Sequence, residues 1–244
     1  MNLTTNQLET MINRIFKGLV FFEIAIVFIY LGSILVSGIP FAPFDMNGQM
    51  TVSSCLQALH LFAIGSISLI MFWLEPRSSA RPSRQFMLTI AILLIFGAVD
   101  EIFKIHLKLH LFLPLEKRDW FGIYFGIVAA LPVLFFRDFL ALWKGYRRET
   151  FWGLLGMLIF ILGGFGADIL NQFVLKPILA TLSAPSDSLV LLVGSAKIAF
   201  EEFAELLGEN FILYGALLFG AKKLKMKDEQ SARSSELSLL PLDE

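Results

Sequence analysis

Apolar stretches long enough to cross a lipid bilayer recur along this chain with only short polar breaks between them, and that repetition limits the folds open to it. A hydrocarbon core of ~30 Å needs roughly 20 apolar residues per helix, and inside it every backbone N–H and C=O must find a partner within the protein. Spans are expected at about 14–37, 52–74, 86–107, 120–143, 151–175 and 187–221. The fold class that follows is all-α, a polytopic membrane helix bundle with six transmembrane helices. A mean hydropathy of +0.71 with 17% charged residues agrees with one membrane domain over 1–221 and leaves no separate soluble domain.

The breaks carry their own signals. Gly38, Pro40 and Pro43 close the first span, Pro76 and Pro82 flank the second break, and Pro177 and Pro185 bracket the fifth. Trp73, Trp120, Trp143 and Trp152 all fall at expected span ends, where an indole suits the headgroup level. The stretch from Ile15 to Val36 is too long for the apolar region of a signal peptide and reads as a retained first span. Basic residues at Arg14 and Lys17, at Arg77, Arg81 and Arg84, at Lys144, Arg147 and Arg148, and at Lys222, Lys223, Lys225 and Lys227 would share one side. The positive-inside rule makes that side, and both termini, cytoplasmic. Residues 222–244 turn Lys-rich and then Ser-, Glu- and Leu-rich, with too little apolar surface to pack, and are expected to form a flexible cytoplasmic tail. Cys55 is the sole cysteine, so no intrachain disulfide or thiolate metal cage can form.

Ionisable residues inside spans are costly and mark function more often than surface charges do. Here they are numerous: Glu23 in span one, His60 in span two, Asp100, Glu101, Lys104 and His106 in span three, Asp168 in span five, and Lys197, Glu201, Glu202, Glu205 and Glu209 in span six. At about 100° per residue, Lys197, Glu201, Glu205 and Gly208 lie within roughly 80° of one another, with Glu202 and Glu209 widening the same face. Gly194 and Gly208 on that face would admit a close neighbour. Counting from the outer surface at ~1.5 Å per residue, His60, Asp100, Asp168 and Lys197 fall at about 10–14 Å and Glu201 at about 20 Å, so they could form one outer site. Glu23, Glu209 and Asn171 are supporting residues in this scheme, with Glu23 and Glu209 nearer the cytoplasm.

The run Asp100-Glu101-x4-His106, together with Glu201-Glu202-x-x-Glu205 and the following Leu206-Leu207-Gly208, resembles a group of uncharacterised bacterial multispan membrane proteins. The likeness covers two spans and implies a bacterial cytoplasmic (inner) membrane setting, but no activity.

These residues support cation binding and transport, of a metal ion or of protons, with Glu201, Glu202, Glu205, Asp100, Glu101, Asp168 and Lys197 as the binding set. A metal version would use Glu201, Glu202, Glu205, Asp100, Glu101, His106 and His60, whose mixed oxygen and imidazole donors suit Mn, Fe or Zn. The competing reading is a membrane-embedded metalloenzyme, although the chain lacks His-Glu-x-x-His and Glu-x-x-His spacings. A third is a non-catalytic assembly or regulatory protein whose buried ions specify helix partners. The lipid bilayer is the one partner expected, a homo-oligomer or complex partner is left open, and no phosphate-binding loop or nucleic-acid patch is present.

Overall fold

The structure, a computed structural model, describes residues 5–75, 81–111, 120–177 and 187–238, and every regular element among them is helical. Helix α1 runs Thr5–Ser37 and stops at Gly38, whose φ of +76° turns the chain while its N–H still reaches Ile34 O at 2.9 Å. Glycine suits that left-handed position because it has no Cβ to clash. After a short 3-10 turn at Ala42–Phe44, α2 (Val52–Leu74) begins at Thr51, which forms a capping box with Ser54. Helix α3 (Arg84–Phe103) is capped by Ser83 and ends at Lys104, followed by the single turn α4 (Ile105–Lys108) and a 3-10 turn at Leu109–Leu111.

Helix α5 (Trp120–Leu134) contains Pro132, and α6 (Phe136–Gly145) leaves it at a bend of 69°. The expected fourth span is therefore bent at Phe135, three residues after Pro132, which leaves the preceding turn one hydrogen bond short. Helix α7 (Arg147–Leu170) runs into a π-turn at Asn171–Leu175. The last helix, α8, covers Asp187–Ser238 without interruption. At 52 residues it is roughly 78 Å long, more than any hydrocarbon core. The segment after Ala221 continues as helix through Ser238. Its Lys, Glu, Gln and Ala residues have good helix propensity, and Lys225 and Glu229 pair at 3.8 Å one turn apart.

Among the described residues, three helices are long and apolar enough to cross a membrane, Asn6–Ser37, Val52–Leu74 and Arg84–Phe103, and the bent pair Gly122–Leu134 with Phe136–Gly145 would make a fourth. Helix α8 is the organiser of the bundle: α7, α1 and α2 all pack on it, and α3 packs on α2. Ile26, Tyr30, Ile34, Leu56, Ala199 and Leu206 fill the space between α1, α2 and α8. The α7–α8 contact is close because small residues face backbone. A Cβ on Gly208 would lie 2.7 Å from Gly156 O and 2.8 Å from Phe160 N, and Gly163 sits directly against Ala204. Trp152, near the start of α7, stacks on Phe211 with ring centroids 5.5 Å apart.

One end of the bundle is tied together by basic residues. Lys223 Nζ donates to both oxygens of Glu75 at 2.8 Å, Lys222 approaches Glu149 at 3.7 Å, and Arg148 approaches Glu9 at 3.4 Å. Tyr146 is buried among them, and burial, with Glu75 and Glu149 adding to it, pushes its hydroxyl above the usual tyrosine range. At the α2–α3 connection the buried Asp138 of α6 takes the Ser83 N–H at 2.6 Å and the Arg81 guanidinium at 3.0 Å. Replacing Asp138 by Ala would leave that N–H and Arg81 without their carboxylate. We expect a loss of about 2 kcal/mol, read as a lower unfolding midpoint in denaturant titration of the detergent-solubilised protein.

Candidate functional site

The polar residues inside the bundle fall into two groups joined by α8. In the first, Gln57 of α2 is buried and its Nε2 donates to Glu202 Oε2 and to Glu205 Oε2, both at 3.3 Å. Glu202 and Glu205 are three residues apart, so one helical turn presents both to the same amide. Gly164 of α7 lies beside them, at a distance where an added Cβ would be 3.4 Å from Glu205 Oε1. From α3, Glu101 and Lys104 form an ion pair, and both interact electrostatically with Glu202 and Glu205. On α8 itself, Lys197 Nζ pairs with Glu201 Oε2 at 2.6 Å.

Lys104 holds an unusual backbone. Its φ of 47° and ψ of 50° place a non-glycine residue in the left-handed region at the end of α3, at a cost of about 1 kcal/mol. The break it creates is clasped by Asp100, which accepts the His106 backbone N–H at 2.7 Å and faces His106 Nδ1 at 2.7 Å. Tyr124 of α5 donates a further hydrogen bond to the same carboxylate. Asp100, expected in the outer site, and His106, expected in the metal set, are thus engaged with each other in closing a helix break.

The second group is sealed. Glu23 of α1 and His60 of α2 are 0% exposed, Asn210 of α8 is 1% and Glu209 of α8 is 4%. Asn210 Nδ2 donates to Glu23 Oε1 at 3.0 Å. His60 lies between the two acids, with Nε2 3.9 Å from Glu23 Oε1 and Nδ1 3.6 Å from Glu209 Oε2. Both distances are beyond hydrogen-bond length. Both ring nitrogens, together with Glu23 Oε2 and Glu209 Oε2, are buried without a hydrogen-bond partner. His60 was expected beside Asp100 and Asp168; in the folded bundle it belongs instead with Glu23 and Glu209.

Glu209 follows Glu205 by about one turn of α8, so that helix carries acids of both groups. Among the described residues, no group of three or more His, Cys, Asp or Glu side chains is arranged to hold a metal ion. The expected ligand set of Glu201, Glu202, Glu205, Asp100, Glu101, His106 and His60 is divided by the fold. His106 is taken by Asp100, His60 lies in the sealed group, and Glu101 and Glu201 are paired with lysines of their own segments. Asp168 is on α7 with its side chain outside the described residues, and Asn171 begins the π-turn beyond that helix.

Two residues missed in the sequence complete the site, Gln57 and Asn210. Both are uncharged amides in apolar helices, and a signal for each existed. Gln57 is three residues from His60 and shares its face of α2, while Asn210 directly follows Glu209.

One family model matches residues 19–220, that of a domain of unknown function, DUF8692. No curated protein matches, and no solved structure matches.

Proposed function

Taking as premise that the chain belongs to the DUF8692 family, we propose that it is a membrane protein that binds protons on the acidic face of α8 and moves them through its bundle. The observation that carries this reading is the Gln57 amide held between Glu202 and Glu205 at 3.3 Å from each. Around it, among the described side chains, the ammonium groups of Lys104 and Lys197 face the four carboxylates of Glu101, Glu201, Glu202 and Glu205. Two positive charges leave two of the four carboxylates unbalanced in a largely buried setting, and protons are the simplest way to supply the remainder. A divalent cation such as Mn, Fe or Zn would need three or more donors converging on one point, an arrangement the described residues do not offer. Protons need only a succession of carboxylates, and Glu201, Glu202, Glu205 and Glu209 provide one along α8.

In this reading α7 and α8 also cross the membrane, giving six spans when the bent α5–α6 pair counts as one. Both termini lie on the cytoplasmic side of a bacterial inner membrane. The tethering of Arg148 to Glu9, Lys223 to Glu75 and Arg81 to Asp138 supports a common basic face for those segments.

The test is proton flux after a pH jump in proteoliposomes carrying an internal pH dye. Wild-type protein should raise flux above empty vesicles, and the Glu202→Gln, Glu205→Gln double variant should lower that added flux at least about tenfold. An unchanged flux in the double variant, with the protein correctly inserted, would remove this reading.

A further inference from the structure

We infer that His60 is a proton relay between Glu209 on α8 and Glu23 on α1, a step that rests on the proton reading above and extends it past the Gln57 site. The geometry is that of a shuttle at rest. One imidazole nitrogen faces each acid, Nδ1 toward Glu209 at 3.6 Å and Nε2 toward Glu23 at 3.9 Å. Each gap is within about 1 Å of hydrogen-bond contact, a shift that side-chain motion supplies.

A polar group kept only for packing would be expected to close those bonds, since a buried polar atom without a partner is destabilising. Here both ring nitrogens and one oxygen of each acid remain unpartnered in a site where His60 and Glu23 are 0% exposed. Asn210 donates to Glu23 Oε1 at 3.0 Å, the same oxygen that His60 Nε2 faces at 3.9 Å, and so holds that carboxylate turned toward the ring; the oxygen's second lone pair is left for the imidazole. The charged and titratable groups that bear on the site are Glu23 from α1, Glu209 from α8, and, through Glu209, Glu205 and Glu202 from α8 with Glu101 from α3.

The transfer balances as follows. The Glu209 carboxylic acid gives its proton to Nδ1 of a neutral imidazole that carries hydrogen on Nε2. The Nε2 proton passes to the Glu23 carboxylate. Glu209 ends ionised, Glu23 ends protonated, and the imidazole ends neutral in the other tautomer, which ring reorientation resets. No metal, redox partner or co-reactant enters. Glutamine in place of His60 keeps a polar amide in the cavity but cannot accept a proton on one atom and release one from another.

Two measurements test the relay. The first is the pH-jump flux in proteoliposomes, where His60→Gln is expected to lower protein-dependent proton flux at least tenfold. Full flux in His60→Gln, alongside a block in the Glu202→Gln, Glu205→Gln variant, overturns the relay and leaves the proton reading standing. The second is nitrogen NMR of histidine-labelled protein in bilayers, with the His60 signal assigned by its loss in His60→Gln. The relay requires exchange between two His60 tautomers in the wild type, reduced to one tautomer in a folded Glu209→Gln variant. A single fixed tautomer that Glu209→Gln leaves unchanged overturns it. If wild-type vesicles pass no more protons than empty ones, the proton reading fails on that result, and the NMR experiment still decides whether His60 exchanges protons with its two acids.

Discussion

Gly208→Val should abolish recovery of folded protein, and even Gly208→Ala should lower stability measurably. A Cβ at this position would meet Gly156 O at 2.7 Å, Phe160 N at 2.8 Å and Phe160 Cβ at 2.9 Å. Two of those three atoms are backbone, so no rotamer change can relieve the contact; α7 itself would have to move. That helix is also pressed to α8 at Gly163 against Ala204 and at Gly215, where a Cβ would lie 2.7 Å from Glu149 O. Separating the helices at one point therefore opens the whole seam. Within lipid there is little hydrophobic penalty to drive them back together, and close van der Waals packing is most of what holds such a pair. Overpacking commonly costs 1–3 kcal/mol, and we expect Gly208→Val to reach about 3 kcal/mol or more. Gly194→Ala is the control, because nothing lies within 4 Å of its Cβ position. It should be neutral or stabilising by up to about 1 kcal/mol, as alanine is the better helix former. Size-exclusion profiles and thermal unfolding in one detergent check both. Equal stability of Gly208→Val and Gly194→Ala would show that the seam does not hold the bundle.

Removing Lys104 should be the second large effect, and its reversal should be informative. Lys104→Met takes the ammonium from Glu101 and from the electrostatic surroundings of Glu202 and Glu205, while keeping a chain of similar length. Breaking a mostly buried pair by removing one member leaves the other charge uncompensated, and we expect a cost of about 3 kcal/mol. Adding Glu101→Gln should recover most of it, since the stranded charge is then gone. The double-mutant cycle separates the pair from the backbone. A helix end in the left-handed conformation favours glycine, so Lys104→Gly would relieve about 1 kcal/mol of strain and still be less stable than wild type. If Lys104→Met unfolds at the wild-type denaturant midpoint, the ammonium does not balance the acids of α8.

How much of the site was legible in the sequence differs residue by residue. Glu201, Glu202 and Glu205 could be assigned to one helix face from spacing alone, because helical periodicity is a local property. The pairing of Lys197 with Glu201 and of Lys104 with Glu101 is compatible with that short-range geometry, but spacing alone does not choose these partners over other nearby acids. The placement of His60 did not. A depth counted along each helix put it level with Asp100, but depth says nothing about which helices are neighbours or how each is rotated. The fold turns Asp100 back onto His106 across a break at Lys104, and it turns His60 toward α1 and α8. The same limit applies to glycine. Gly194 and Gly208 lie on one face of α8, yet only Gly208 meets α7.

The sequence by itself determined that this is a helical chain with segments long and apolar enough to cross a membrane and an acidic stripe on its last helix. Those properties arise from composition and from a period of 3.6 residues, both written into contiguous residues. Only the tertiary structure decided that the bundle is organised on α8, that the expected metal-ligand set is divided, and that Glu23, His60, Glu209 and Asn210 meet in one sealed site. Asn210 and Glu23 are 187 residues apart in the chain. No local pattern encodes such a meeting, because it depends on how three helices rotate to bury their small and polar residues against one another.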